Sequence, residues 1–301
     1  PYNALAHQVM AILFQKVSVP MTQLLQLNKN FPVWRTIPDE DLALLIGYMV
    51  EQDFIEIMDD EAIVGLEGER LLRSRDFYAL FFTTSDFSVH YQHERIGSLP
   101  FTPEIQIESK ILLAARVWIV KDIDVKAKRI QVERTKEGRP PKFISDEGFV
   151  SNEVRENMEK LLRTGEYLNL NNDKITRDFD FLKSALYFDA GNYWFEDNQT
   201  NIGIVTFKGT KFNIALLLLI KSIVGEGEKY QLHDKHSLIT GPDLKRIMQR
   251  LTDEDVSLDT VAAYLDRNEK AIEELTVHQK FMQLVPTCLK IKWILNNFFS
   301  V

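Results

Sequence analysis

Cysteine is almost missing from this chain of 301 residues: Cys288 stands alone. No internal disulfide can form, and a reducing, cytoplasmic setting is expected. Long apolar runs are missing too. The longest, Ile214 to Ile220, falls far short of the ~20 residues that cross a bilayer, and no signal-peptide pattern opens the sequence, so no membrane partner is expected. There is no G-x-x-x-x-G-K-[ST] phosphate loop; Gly225-Glu-Gly-Glu-Lys229 and Gly209-Thr-Lys211 lack its spacing. Without backbone N–H groups and a lysine on the terminal phosphates, the chain has no visible means of hydrolysing ATP. His90 and His93, and His233 and His236 around Asp234, have no cysteine or convergent carboxylates at ligand spacing, which speaks against zinc. Carboxylate pairs are abundant, but on an acidic surface they carry no specific signal.

What the chain does have is a reversal of charge. Lys110 to Lys142, KILLAARVWIVKDIDVKAKRIQVERTKEGRPPK, holds ten Lys or Arg against four Asp or Glu, a balance of +6. The whole chain is −8, so the remainder carries −14. A basic, aromatic-bearing β segment in an acidic protein is what a nucleic-acid track looks like. A solvated meander with a lysine-guarded edge would look the same.

At 301 residues and 45% hydrophobic, the chain is large enough for two domains. Ala4 to Gln15 has helical spacing, Val19-Pro20 breaks it, and Met21 to Leu27 reads as a second short helix. Pro38 to Gln52 opens with proline and three acids, a good helix start. Phe54 to Ile57 and Ala62 to Leu66 form a hairpin around Asp59-Asp60. Three helices and a hairpin give the order of a winged helix. Its third helix carries Asp39, Glu40, Asp41 and Glu51 with no Lys or Arg. Four carboxylates against a phosphodiester would cost affinity, so this element reads as a packing module. Strands are predicted around Phe81-Phe82, Phe87 to Tyr91, Ile105 to Ile107, Arg116 to Val120 and Arg129 to Val132. Helices follow at Asn152 to Arg163 and Lys174 to Lys183. A second β set comes at Leu186 to Phe188, Tyr193 to Phe195 and Gly203 to Phe207. The rest reads as helices at Phe212 to Ser222, Gly241 to Arg250, Ser257 to Leu265 and Asn268 to Asn297. The expected fold is α+β: a winged helix over 1–77, then 78–301 with one β-barrel-like sheet assembled from distant segments and interspersed and C-terminal helices.

Several landmarks, in this order, resemble the C-terminal half of the Lhr-type (long helicase-related) superfamily 2 helicases. They are Leu66-Glu-Gly-Glu-Arg-Leu-Leu with Tyr78 and Phe81, then Ile96-Gly-Ser-Leu-Pro100. Leu112-Leu-Ala-Ala-Arg-Val-Trp-Ile119 is similar to the family's LxGrxWxV strand. Pro140-Pro-Lys-Phe143 resembles its PxW turn, and Phe207-Lys-Gly-Thr210 its WxGT segment. Gln279-Lys-Phe281 and Leu284-Val-Pro-Thr-Cys-Leu289 resemble its eKfxxxxPxxL ending. The likeness spans essentially the whole chain, with Phe143 and Phe207 standing where the family has tryptophan. It implies part of an ATP-dependent 3′-to-5′ translocase, with upstream RecA-like motor domains that carry the ATP and Mg. Opening at Pro1, the chain is expected to be a piece of a longer protein. In the family, the winged helix and barrel grip the single strand of DNA or RNA leaving the motor.

The candidate contacts fall into two groups. Phe143, on a turn between Arg139 and Lys142, is a stacking candidate. Trp118 is either a stacking residue beside Arg116 or a core residue, since alternation puts it on the face of Arg116 and Val120. Lys126, Lys128, Arg129, Arg134 and Lys136 would supply a phosphate track, extended by Lys208 and Lys211. Two other readings compete: a winged-helix and β-barrel DNA glycosylase, whose Gln-x-Gln pattern is absent among the thirteen glutamines, and a protein-interaction module.

Overall fold

The computed structural model describes residues 2–78, 86–92, 94–100, 105–113, 116–125, 127–135, 148–166, 172–189, 191–197, 201–225, 229–253, 256–277 and 279–299. The fold is α+β. The chain divides into two compact units: Tyr78–Glu147 stands by itself, and Pro1–Phe77 groups with Gly148–Val301.

The first unit begins with α1 (Tyr2–Lys16), β1 (Ser18–Pro20), α2 (Met21–Leu24), α3 (Leu27–Asn30), α4 (Asp39–Glu51) and the hairpin β2 (Ile55–Met58) and β3 (Glu61–Val64). The three strands pair in the order β1-β3-β2. β1 is hidden from sequence reading because Pro20 sits in it; proline is tolerated there because β1 is an edge strand. Leu5, Val9, Leu13, Leu42, Leu45, Ile46 and Met49 bury the facing stripes of α1 and α4. The following α5 (Leu66–Leu72) packs so closely on the hairpin that a Cβ on Gly68 would collide with the Phe54 carbonyl and Met10 Cε.

The rest of this unit is a second sheet covered on both faces. β9 (Leu186–Asp189), β10 (Asn192–Asp197), β11 (Asn201–Val205), β12 (Gln231–His233) and β13 (Leu238–Gly241) pair antiparallel in the order β12-β13-β11-β10-β9. Alternation sends Trp194, Ile204 and Ile239 into a cluster with Leu216 and Ile220 of α8 (Thr210–Val224) and Leu244 and Ile247 of α9 (Leu244–Asp253). Tyr193, Phe195, Val205 and Leu238 point the other way, toward Met158 and Leu162 of α6 (Asn152–Thr164) and Phe179 and Leu182 of α7 (Asp173–Ala185). α10 (Leu258–Asp266), α11 (Glu269–Thr276) and α12 (Thr287–Phe299) pack with α8 around Val261, Leu265, Ile272 and Ile294. The single helix expected over Asn268 to Asn297 is broken: Phe281 takes a φ of 67° and Pro286 cannot continue a helix.

The second unit is a five-stranded sheet of β4 (Asp86–Tyr91), β5 (Glu94–Pro100), β6 (Lys110–Leu113), β7 (Arg116–Asp124) and β8 (Arg129–Arg134), ordered β5-β4-β8-β7-β6. Only the β4–β8 pairing in it is parallel. The expected single sheet drawn from both β-rich regions is therefore corrected: the described strands form two separate five-stranded sheets, one in each unit. Each satisfies its own ladder from strands close in sequence, which costs less loop closure than a shared one. Edge strands β5 and β6 approach through side chains, since a Cβ on Gly97 would lie 3.1 Å from Leu113.

Candidate nucleic-acid interface

The basic stretch forms β6, β7 and β8 of the second unit, and strand register decides where its cations go. β7 reads exposed Arg116, buried Trp118 and buried Val120, with partly buried Val117 and Ile119 between. Alternation thus places Arg116, Trp118 and Val120 on one face. A register shift between Val120 and Asp122 then resets the phase, turning Ile123 inward and Asp122 and Asp124 out.

Trp118 belongs to the core. It is 3% exposed, packs with Val89, Ile111 and Val132, and donates from Nε1 to the Leu113 carbonyl at 3.0 Å. Of the two roles the sequence leaves open for Trp118, this environment is that of the core one. Arg134, opposite Trp118 in the register, lies 5.0 Å from the Tyr91 ring centroid and 5.9 Å from that of Trp118. Its guanidinium caps two rings at the rim.

The outward cations divide by partner. Lys121 is held by Glu108 at 2.9 Å and Glu133 at 4.0 Å. Lys128 occupies the turn before β8 with a φ of 50°, and its carbonyl accepts from Ser88 N at 2.9 Å. Arg129 faces Ser88 across the parallel ladder, while the neighbouring pair is His90 with Gln131. On the other side of β4, His90 pairs with Arg95. Arg95 and Arg129 therefore flank His90 on one face of β5-β4-β8, beside the Ser88 and Ser98 hydroxyls. Burial, then Arg129 and Arg95, hold the His90 imidazole below its ordinary value. Arg95 and His90 lie outside the basic stretch, and only strand register brings them to it.

The remaining candidates separate further. Lys126, Lys136, Arg139, Lys142 and Phe143 lie outside the described residues. Lys208 and Lys211 belong to the first unit. Lys208 Nζ is 2.6 Å from Glu156, and Lys211 Nζ donates to Asn297 Oδ1 at 3.1 Å and lies 5.8 Å from the Phe149 ring centroid. Both cations are engaged within that unit.

The segment around them is a buried polar hub. Asn213, fully buried, donates to the Lys208 carbonyl at 2.9 Å and to Ser237 Oγ at 3.0 Å, and accepts from Thr206 Oγ1 at 2.5 Å. Gly209 lies against the chain before α6; a Cβ there would stand 2.5 Å from the Val150 carbonyl oxygen. Phe207, with a φ of 49° and 5% exposure, packs edge-on against Tyr193 at 5.1 Å. It is a packing residue at this turn.

The acidic α4 is tied down by the C-terminal helices. Asp41 is 5% exposed, accepts from Tyr2 Oη at 2.6 Å, and is paired with Lys292 of α12 at 2.7 Å. Asp39 bonds Lys29 and Asn28, and these hydrogen bonds hold its carboxyl below the usual range. Among the described residues, no group of His, Cys, Asp and Glu side chains is placed to hold a metal ion.

No protein-family model matches the chain, and neither the curated proteins nor the solved structures yield a match. None of the described helices is long and apolar enough to cross a membrane.

Proposed function

We propose that this chain is the nucleic-acid-gripping C-terminal part of an Lhr-like 3′-to-5′ helicase, holding the single strand of DNA or RNA that leaves upstream RecA-like motor domains. In this reading residues 1–77 are the winged helix, the barrel-like part lies within 78–301, and ATP and Mg belong to the motor. The observation that carries it is the order of parts. Helices α1 to α4 and a β1-β3-β2 sheet precede a β unit bearing the basic stretch, and three residues of the family-like motifs sit at close contacts or a break. Gly68, Gly209 and Pro286 sit at the close approaches and the helix break described above.

The grip, in this reading, is made by exposed cations rather than by α4. Arg95, Lys128 and Arg129 neutralise phosphates on the β5-β4-β8 face, and Phe143 stacks a base. The α4 carboxylates would repel a phosphodiester, and Asp41 already serves the internal pair with Lys292. The winged helix then acts as a mounting for the C-terminal helices.

Binding of labelled oligo(dT) and oligo(U) at two salt concentrations tests this. Each phosphate contact on a single strand contributes about 0.7 to the slope of log affinity against log salt. Arg129→Ala should weaken binding and flatten that slope by about this amount. Phe143→Ala should weaken binding at every salt by ~1–3 kcal/mol, the usual value of a base–aromatic stack. A phosphate beside His90 favours its imidazolium, so affinity should rise as pH falls through the histidine range, and His90→Gln should remove that trend. Salt-independent binding, or none, would sink the proposal. The chain alone should show no nucleic-acid-stimulated ATP turnover; turnover that co-purifies with it and survives further purification would contradict the placing of ATP in the motor.

A further inference from the structure

α7 buries its apolar face only in part. It spans thirteen residues, Phe179 and Leu182 pack toward the β9–β13 sheet, and none of its residues is fully buried. Beneath it lies a cavity of about 270 Å³ between α6, α7 and the sheet. Phe181, Phe195 and Phe207 contribute to an almost wholly apolar wall, and Phe181 is 66% exposed. A cavity of about 150 Å³ lined by Leu, Ile and Phe is already enough to hold benzene.

The polar lining is confined to three residues, Arg155, His236 and Ser237. Arg155 is 6% exposed and is the one group in the lining that carries a permanent charge. Its Nη2 donates to the Asp234 carbonyl at 2.6 Å, which fixes the guanidinium in place. The Asp234 carboxylate accepts from Thr210 at 2.8 Å and is not part of the lining. Ser237 Oγ is committed to the Lys208 carbonyl at 2.7 Å. A guanidinium has only donors. Whatever meets Arg155 must therefore be an acceptor, and an anion gains most.

We propose that this cavity binds a small apolar molecule with a carboxylate head, a medium-chain or aromatic acid, with its tail under α7 and its head toward Arg155 and His236. The ligand would add apolar contacts to those α7 makes through Phe179 and Leu182, so binding should further order that helix. This is a separate site from the nucleic-acid face and does not depend on that reading.

The test uses the whole chain with decanoate, decanol and the dye anilinonaphthalene sulfonate. The dye should bind saturably, decanoate should displace it, and decanol should need at least roughly tenfold more, as expected where a charge-assisted hydrogen bond is lost. Ala185→Trp, which fills the cavity from α7, should abolish displaceable binding. His236→Ala, at the mouth, should weaken decanoate more than decanol. Decanoate should also slow amide exchange in α7 and give NOEs to the Phe181 and Phe207 rings of the unaltered chain. Absence of those NOEs, or dye binding that is neither saturable nor displaced by decanoate, overturns the site. Equal displacement by decanol and decanoate overturns the carboxylate head.

Discussion

Trp118→Ala should cost the 78–147 unit about 3–5 kcal/mol, the usual penalty for removing a large buried aromatic. The indole is 3% exposed and sits among Val89, Ile111, Val120 and Val132, which rigid strands prevent from closing over the void. The Leu113 carbonyl loses the indole donor, and Arg134 loses one of the two rings it caps. Trp118→Phe should be milder, because it keeps most of the volume and forfeits the N–H. Hydrogen exchange of the β4–β8 amides reports this unit even if the chain unfolds in more than one step. A Trp118→Ala variant that keeps parental exchange protection but loses single-strand binding would show that the indole stacks on a base after all.

That Trp118 shares a face with Arg116 and Val120 was legible from alternation alone, because the three residues belong to one strand. The helices and turns that depend on near neighbours were legible too: α1, α4, α6, α7, α8 and α10 fall within a few residues of where periodicity puts them. What stayed hidden depends on distant partners or on broken phase. β5 contains Gly97 and a register shift opposite Val89 and His90, so its alternation is interrupted. β12 and β13 are only three and four residues long and lie among polar residues. Ile105 to Ile107 reads as a strand but is a turn, with Glu108 at a φ of 68°. The candidate face shows the same division. Arg129 could be named from composition, whereas Arg95 and His90 join it only through cross-strand pairing. Asp41 looked like a surface acid at a helix start, because its partner Lys292 is 251 residues away.

The pair formed by those two residues carries the other large expected effect. Asp41→Ala should destabilise the first unit by about 2–4 kcal/mol: less than the ~3–5 kcal/mol of a fully buried pair, since the Lys292 side chain is 44% exposed and can turn to water. The Tyr2 hydroxyl has no such escape, because Tyr2 is 6% exposed and would be left without its acceptor. The same arrangement sets the alkaline limit. Burial, then the hydrogen bond to Asp41 and its charge, raise the Tyr2 hydroxyl far above its ordinary value. The folded chain therefore keeps a proton that the unfolded chain releases above pH ~10. This contribution to stability is complete below that pH and is lost as pH rises beyond it. Urea melts from pH 8 to 11 should show that loss in the parent and a flatter curve in Tyr2→Phe. In a double-mutant cycle, Asp41→Ala and Tyr2→Phe should be clearly non-additive, because each removes the same hydrogen bond. Additive costs, or an Asp41→Ala variant as stable as the parent, would show that α4 is not anchored through Asp41. The exposed acids Glu40 and Glu51 give the functional counterpart: changing both to Lys should leave this anchor intact and strengthen single-strand binding, if it alters binding at all.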